Sequence, residues 1–412
     1  MVEFLTVVYL FYSFVAMYFI IFFVLIYLRH KNDLFFYKKA KKKYSLSIVV
    51  PCYNEEKTIG KTIESLLKIK YKQLRKIIIV DDCSTDNSFN IIKKYSKKYK
   101  KIIAIRTPKN TGKASGAKNY GSKFVNTELI GFVDADSYPL PDSIEKMIGF
   151  FDDRRVGGVT ASILVKNTNN LIERLQDLEY RVIVFTRKLL GFVDAIYVTP
   201  GPLAIYRKSV FDKVGRFDEN NLTEDIEITW NILSKGYKIE MSTLSKSYTV
   251  VPDNFKDWYK QRIRWNMGGL QTINKHKKYF LRRGILGLFV IPFFVLSWII
   301  GIVGIIILFY RISRELIIKY FLTTKYSIEA QVAVLSLRDI SLTPNVLVFF
   351  GTAILILSTS FTLFALSKIK DKKIDIKKNS ITFLLFAFVY LLAYPLILFS
   401  SIYKTIKSKK TW

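Results

Sequence analysis

Two acidic clusters stand out by residue type and spacing. Asp134-Ala135-Asp136 sets two carboxylates one residue apart directly after an apolar run. Paired oxygen donors of this kind suit a divalent cation such as Mg2+ or Mn2+, completed by water and phosphate oxygens. Side chains alternate faces along a strand, so Asp134 and Asp136 address one point only if the chain turns between them. A solvated acidic turn ahead of Pro139 reads the same way. The second cluster, Thr223-Glu224-Asp225, offers a carboxylate for general-base work, and its plainer reading is the acidic first turn of a helix.

Further motifs supply complementary groups. Asp81 and Asp82 end another apolar run, where a carboxylate could accept hydrogen bonds from a base or ribose, while Ser84 or Asp86 would cap the next helix. Lys109-Asn110-Thr111-Gly112-Lys113-Ala114 is a basic turn into a helix. There, backbone donors and Lys113 favour a diphosphate, although a surface turn has the same composition. Gln261-Arg262-Ile263-Arg264-Trp265 combines a planar fork for phosphate with an indole face, a combination that a membrane-interface anchor shares. His30 and His276 are the only histidines, and Cys52 and Cys83 the only cysteines. Histidine-ligated metal chemistry, a serine-histidine relay and a disulfide framework are therefore poorly supplied, and catalysis must rest on carboxylates.

The elements that position these groups show in the periodicity. Between residues 45 and 136, β-branched runs at 45–50, 76–80, 102–106 and 129–133 alternate with helical patterns at 58–68, 86–98 and 114–124. Strict alternation predicts an α/β fold with a largely parallel sheet, whose ligands lie beyond the carboxyl ends of the strands. Pro51 to Glu56, Asp81 to Asp86 and Asp134 to Asp136 all fall at that edge. Leu171, Leu175, Leu178, Val182, Phe185 and Leu189 recur at helical spacing. A strand-like stretch at 201–207 and a helix through Trp230 to residue 235 follow.

The formal charge is +31, yet half of the 412 residues are hydrophobic. Both hold only because apolar and basic residues are segregated along the chain, as in helices crossing a bilayer beside an anionic leaflet. Residues 4–28 are uncharged and precede a lysine-rich stretch, predicting a retained anchor within 1–30 and a cytosolic domain over 44–270. A basic interface segment at 271–283 leads to three further candidate spans, 284–310, 346–366 and 381–403. Six lysines at 368–378 place that loop in the cytosol, a scheme that would leave Lys404, Lys407, Lys409 and Lys410 outside. A surface helix is expected around residues 315–322. Helix-turn-helix, zinc-finger and RNA-binding signatures are lacking, which argues against a nucleic-acid partner.

Taken together, the motifs resemble glycosyltransferase family 2, in its membrane-embedded inverting branch of hyaluronan, cellulose, chitin and poly-N-acetylglucosamine synthases. The resemblance covers residues 45–265 and implies a GT-A fold. It implies a nucleotide loop with Pro51, Tyr53, Asn54 and Glu55, and a uracil-contacting segment with Asp81 and Asp82. Lys113 and Asp134 would join that nucleotide site, and Asp134 with Asp136 would hold the metal. Asp225 would be the base with Glu224 beside it, and Gln261, Arg264 and Trp265 would serve diphosphate and acceptor. Gln176, Glu179, Tyr180 and Gly201-Pro202-Leu203 resemble acceptor-lining stretches. The implied partners are a nucleotide-sugar donor, a glycan or lipid-linked acceptor and the lipids of the plasma membrane. A polyprenyl-phosphate acceptor taking one sugar, or a nucleotide-binding transporter or receptor, are the competing readings. Donor sugar and oligomeric state stay open.

Overall fold

The computed structural model describes residues 2–282, 284–314, 346–369 and 380–407, together with Ile317, Ile328 and Glu329. All of the expected helix at 315–322 but Ile317, most of the 368–378 loop and the last lysines of the tail lie outside them. Helix α1 (Val2–His30) precedes an alternation of β1 (Leu46–Cys52), α2 (Ile59–Leu67), β2 (Leu74–Asp81), α3 (Ser88–Lys98), β3 (Ile102–Arg106), α4 (Ala114–Ser122) and β4 (Leu129–Phe132). This is the predicted order, with ends shifted by one or two residues. After it come β5 (Ser137–Pro139), α5 (Glu145–Ile148), β6 (Val156–Val165), α6 (Leu171–Gly191), β7 (Ala204–Arg207), α7 (Lys208–Lys213), α8 (Glu224–Ser234), β8 (Lys238–Thr249) and α9 (Phe255–His276).

The eight strands form one sheet in the order β3-β2-β1-β4-β7-β6-β8-β5. Strands β1 to β4 pair in parallel, as the alternation predicts. Strand β6 also pairs in parallel with β8, but the sheet as a whole is mixed, because β7 runs antiparallel to both β4 and β6, and β5 antiparallel to β8. Strand β7 arrives from α6 without a crossover of the βαβ kind, so the handedness rule that fixes the first half has no hold on it.

Both faces of the sheet are covered. On β1, Leu46, Ile48 and Val50 face one core with α2, α3 and α5, while Val49 faces a second with α4, α6, α7 and α8. The second core continues into Ile26 of α1, into Leu286 and Val290 of the π-helical turn Leu286–Val290, and into Ile291 at the start of α10 (Ile291–Arg314). Among the described residues, two helices are long and apolar enough to cross a membrane, Thr6–His30 and Leu286–Arg314. Helix α11 (Val346–Lys368), the short α12 (Ser380–Leu385) and α13 (Leu391–Lys407) complete the described chain, and Pro395 lies inside α13.

Candidate active site

The carboxyl ends of β1 and β2 carry two loops tied to each other through side chains. Ser84 Oγ accepts from the Asn54 amide at 3.0 Å, Asn54 Oδ1 accepts from the Thr85 amide at 2.8 Å, and Ser88 Oγ accepts from the Glu55 amide at 2.8 Å. Asn54 and Cys83 take positive φ angles of 55° and 60°, so each strand turns sharply at its end. Pro51 is buried in β1, whereas the Tyr53 ring is 49% exposed at the rim.

Asp81 and Asp82 have different surroundings. Asp81 is fully buried, with Oδ2 3.1 Å from Arg106 Nε and Oδ1 without a partner among the described residues. Both oxygens of Asp82 are engaged, accepting from the Thr107 hydroxyl at 2.8 Å, the Thr111 hydroxyl at 2.7 Å and the Thr111 amide at 3.0 Å. Asp82 therefore organises the 107–113 loop from below. Lys113, at the start of α4, donates to the Asn220 carbonyl at 3.1 Å and so joins that loop to the approach of the second acidic cluster.

The two acidic clusters meet. Strand β4 ends at Phe132 and the chain turns through 134–136 before β5, as two convergent carboxylates require. Gly201 packs against Asp134 so closely that a Cβ there would stand 2.3 Å from its Oδ2, which explains a glycine at that point of the 199–203 loop. Across the site, Glu224 and Asp225 open α8, where aligned amide dipoles favour negative charge. Lys118 of α4 lies between the clusters with 3% of its side chain exposed, 3.1 Å from Asp134 Oδ1 and 2.9 Å from Glu224 Oε1. Asp134, Asp136, Glu224 and Asp225 all keep partial solvent access, so they line an open depression.

The charges divide the carboxyls into distinct states. Burial works against the Lys118 ammonium, but Asp134, Glu224 and Asp225 outweigh it and keep it charged. Burial also works against the Glu224 carboxylate, and Lys118 overcomes that to hold it below its ordinary value. Asp225 is pushed up to about 6 by burial and by Glu224, with Lys118 and Arg264 opposing. Asp136 is pushed up to about 7 by burial, then by Asp134 and Glu55. Residues 134–136 with Glu55 are thus an acid-rich point short of positive charge on the side away from Lys118, which suits a hard cation. Among the described residues no cluster of three or more His, Cys, Asp or Glu is grouped to enclose a metal. An ion held by Asp134 and Asp136 would therefore draw its remaining ligands from phosphate and water.

Helix α9 carries the arginine-tryptophan motif and closes the site. Its Asn254 cap accepts from the Asp257 amide at 2.9 Å. One face meets the second acidic cluster. A Cβ on Gly268 would stand 2.1 Å from Thr223 Oγ1, and the Gln271 side chain accepts from the Leu222 amide at 2.9 Å. Exposed Arg264 acts electrostatically on both Glu224 and Asp225. Gln261 is turned to Arg262, and the Arg262 guanidinium lies 4.1 Å from the centroid of the Trp265 ring.

Sequence reasoning missed Lys118 and Arg262 as site residues. Arg262 is buried, pairs with Glu179 at 2.5 Å, and shares it with the hydroxyls of Tyr390 and Tyr394. The signal for Lys118 was a lysine inside Ala-Ser-Gly-Ala-Lys-Asn-Tyr-Gly-Ser, a helix of small residues that must lie close on a sheet. The cysteines are free, and burial pushes the Cys52 thiol up to about 12, leaving it inert.

A mixed α/β sheet with paired acids beyond its strand ends defines a nucleotide-sugar-transferase type of fold, GT-A. The solved mannosyltransferase PcManGT from Pyrobaculum calidifontis, in complex with GDP-Man and Mn2+, shares that fold over 97% of this chain and 99% of its own, at TM-score 0.62 and 15% identity. Residues 47–215 match the family described as Glycosyl transferase family 2. The poly-beta-1,6-N-acetyl-D-glucosamine synthase of Staphylococcus aureus (strain COL) is 29% identical over 258 residues, covering 59% of this chain and 62% of that protein. Its Staphylococcus epidermidis counterpart is 30% identical over 231 residues, covering 55% of each. The match thus spans less than two thirds of the curated relatives' length.

Proposed function

We propose that this protein is a membrane-bound inverting glycosyltransferase that moves a sugar from a nucleotide sugar, UDP-linked, onto a growing polysaccharide. The observation that carries this reading is Lys118, whose ammonium bridges Asp134 and Glu224 and so fixes the donor acids and the base in one depression. The similarity to poly-N-acetylglucosamine synthases supports a glycan product.

In this mechanism Asp225 takes the proton from the acceptor hydroxyl as that oxygen attacks the anomeric carbon from the face opposite the leaving group. Its carboxyl near 6 makes it ionised at neutral pH and still basic enough to hold a proton. Glu224 stays charged on Lys118 and raises Asp225, a division of states that assigns the proton to one of two adjacent acids. The loops at the ends of β1 and β2 hold the nucleotide, with Tyr53 and Asn54 at the rim and the unpartnered Asp81 oxygen beneath. Lys113, Arg264 and Gln261 serve the diphosphate side, and Trp265 offers an indole face to the acceptor sugar. Asp134 and Asp136 would hold Mg2+ or Mn2+, which when bound supplies Lewis-acid stabilisation of the departing diphosphate. The chain would cross the plasma membrane several times, with α11 and the α12–α13 segment joining the two apolar helices and the sheet domain in the cytosol.

Release of nucleoside diphosphate by the detergent-purified full chain, screened over UDP- and GDP-sugars with Mg2+ or Mn2+, tests the reading. Asp225→Asn should lower transfer by about 10²–10⁴-fold while leaving nucleotide affinity nearly unchanged. Equal loss of both would remove Asp225 from the role of base. A lipid-soluble product bearing a single sugar would replace the polymer reading with a lipid acceptor.

A further inference from the structure

The buried cations of α6 and α9 have partners, with one exception. Arg181 pairs with Asp177 at 3.0 Å, Lys188 donates to the Met241 carbonyl at 3.1 Å, and Arg262 pairs with Glu179 at 2.5 Å. Arg187 is 6% exposed and, among the described residues, has no carboxylate or carbonyl within bonding distance; its Nε is fully enclosed and unpaired. A buried guanidinium with no anion in hydrogen-bonding contact is disfavoured, so a position that keeps one calls for an anion from elsewhere. Two tyrosines lie within electrostatic reach of it. Tyr180 lies seven residues earlier, on the same face of α6, and Tyr197 lies two residues before Thr199, whose hydroxyl is 3.4 Å from the Asp225 carbonyl. Both rings keep partial solvent access, and neither hydroxyl has a hydrogen-bond partner among the described residues. Arg187 interacts electrostatically with both phenols and with Asp225. The Tyr197 ring also meets Phe294 of α10 edge to face, with centroids 4.6 Å apart, so the group sits where the sheet domain joins a helix apolar enough to cross a membrane.

We propose that Arg187, Tyr180 and Tyr197 form an anion-binding subsite on the acceptor side of Asp225, which takes a phosphate group carried at the head of a membrane lipid or free in solution. It rests on the reading that Asp225 faces the acceptor. The planar fork of Arg187 matches two phosphate oxygens and the phenol hydroxyls donate to the third. The contact with α10 favours a headgroup whose apolar chain runs into the bilayer, so the phosphate would either prime the first transfer or anchor the chain that receives it.

The test uses the full chain in nanodiscs of phosphatidylcholine without nucleotide sugar, and follows the thermal midpoint against inorganic phosphate, a polyprenyl monophosphate and the neutral polyprenol. Both phosphates should raise the midpoint of the natural protein and polyprenol should not, while Arg187→Met should weaken both phosphates by about tenfold or more. Arg187→Lys, which keeps a charge without the fork, should fall between. Tighter binding of the lipid phosphate identifies a membrane source, and equal affinity identifies free phosphate; either upholds the subsite. Unchanged phosphate binding in Arg187→Met, or none in the natural protein, overturns it. Without anion, Arg187→Met should melt at or above the natural midpoint, because an unpaired buried charge is removed. Should it fail to fold, Tyr197→Phe removes only a hydroxyl and should weaken phosphate severalfold, and an unchanged affinity there overturns the subsite as well. Phosphate binding that persists where no nucleotide sugar is turned over would sink the transferase reading and leave the subsite standing; turnover with no phosphate binding would do the reverse.

Discussion

Replacing Lys118 with Met removes a buried cation from between the two acidic motifs. Its Nζ lies 2.9 Å from Glu224 and 3.1 Å from Asp134. At an effective dielectric of about 20, a unit pair at that range attracts by roughly 5 kcal/mol. A third of the Asp134 side chain is in solvent, so its share is the smaller. Deleting one partner of a buried pair typically costs about 3–5 kcal/mol, because the remaining carboxylate loses its counter-charge. Glu224 is held below its ordinary value in the fold, so the stability it contributes is present above that ordinary value, and therefore at neutral pH, and fades as pH falls through the depressed one. The thermal midpoint of Lys118→Met should accordingly drop most near neutrality and less in acid. Lys118 also holds Asp225 down, so Asp225 should climb beyond about 6 and carry the acid limb of nucleoside diphosphate release to higher pH. A double variant with Glu224→Gln removes both charges and should recover at least half of the loss in stability. Strictly additive losses, or an acid limb that stays in place, would refute the bridge.

Three further outcomes follow from the same geometry. A base works only when ionised, so sugar transfer by the natural protein should fall about tenfold per pH unit below about 6, a slope read from initial rates, and a flat profile there would exclude Asp225. Asp136, pushed up to about 7, makes a proton compete with a metal, so Mn2+ affinity followed by electron paramagnetic resonance should weaken as pH falls through neutrality, and pH-independent affinity would place the ion elsewhere. Gly268→Ala puts a Cβ 2.1 Å from Thr223 Oγ1, forces α9 away from the second acidic cluster, and should cost about 1–3 kcal/mol of stability, measured by thermal melting, together with most of the transfer rate.

The first half of the sheet was legible because β1, β2 and β3 are each an apolar, largely β-branched run closed by a turn and followed by a helix, and β4 is an apolar run closed by the acidic turn at 134–136. Strands β6 and β8 were not. The β6 sequence Val-Gly-Gly-Val-Thr-Ala-Ser-Ile-Leu-Val is buried throughout, but two glycines, a threonine and a serine blur its apolar run. In β8 the inward positions include Ser242, Ser245 and Ser247, all buried, so the hydrophobic alternation that marks a strand is absent from its composition. The acidic motifs were found by spacing, but what separates Asp225 from Glu224 was not, because it depends on a lysine more than a hundred residues away. The local partners of Asp82 were not legible either. A tandem pair of aspartates invites one role for both, and only the loop geometry shows Asp82 spent on Thr107 and Thr111.

The tie between α9 and the last helical segment bears on how far this protein can be dismantled. Glu179 and Arg262 lie inside the sheet domain, yet Tyr390 and Tyr394 complete their hydrogen bonds, and Trp258 donates its indole N–H to Tyr390 at 2.6 Å. Leu366, Phe386 and Ile397 cover the apolar side of the same cluster. Cutting the chain after α9 would leave a buried ion pair short of two hydroxyls and an apolar flank bare. The helices beyond α9 are thus a missing wall of the sheet domain rather than a tether for it. A soluble fragment ending at α9 should be prone to aggregate, and detergents that loosen the helix bundle should quench the chemistry before the sheet itself melts.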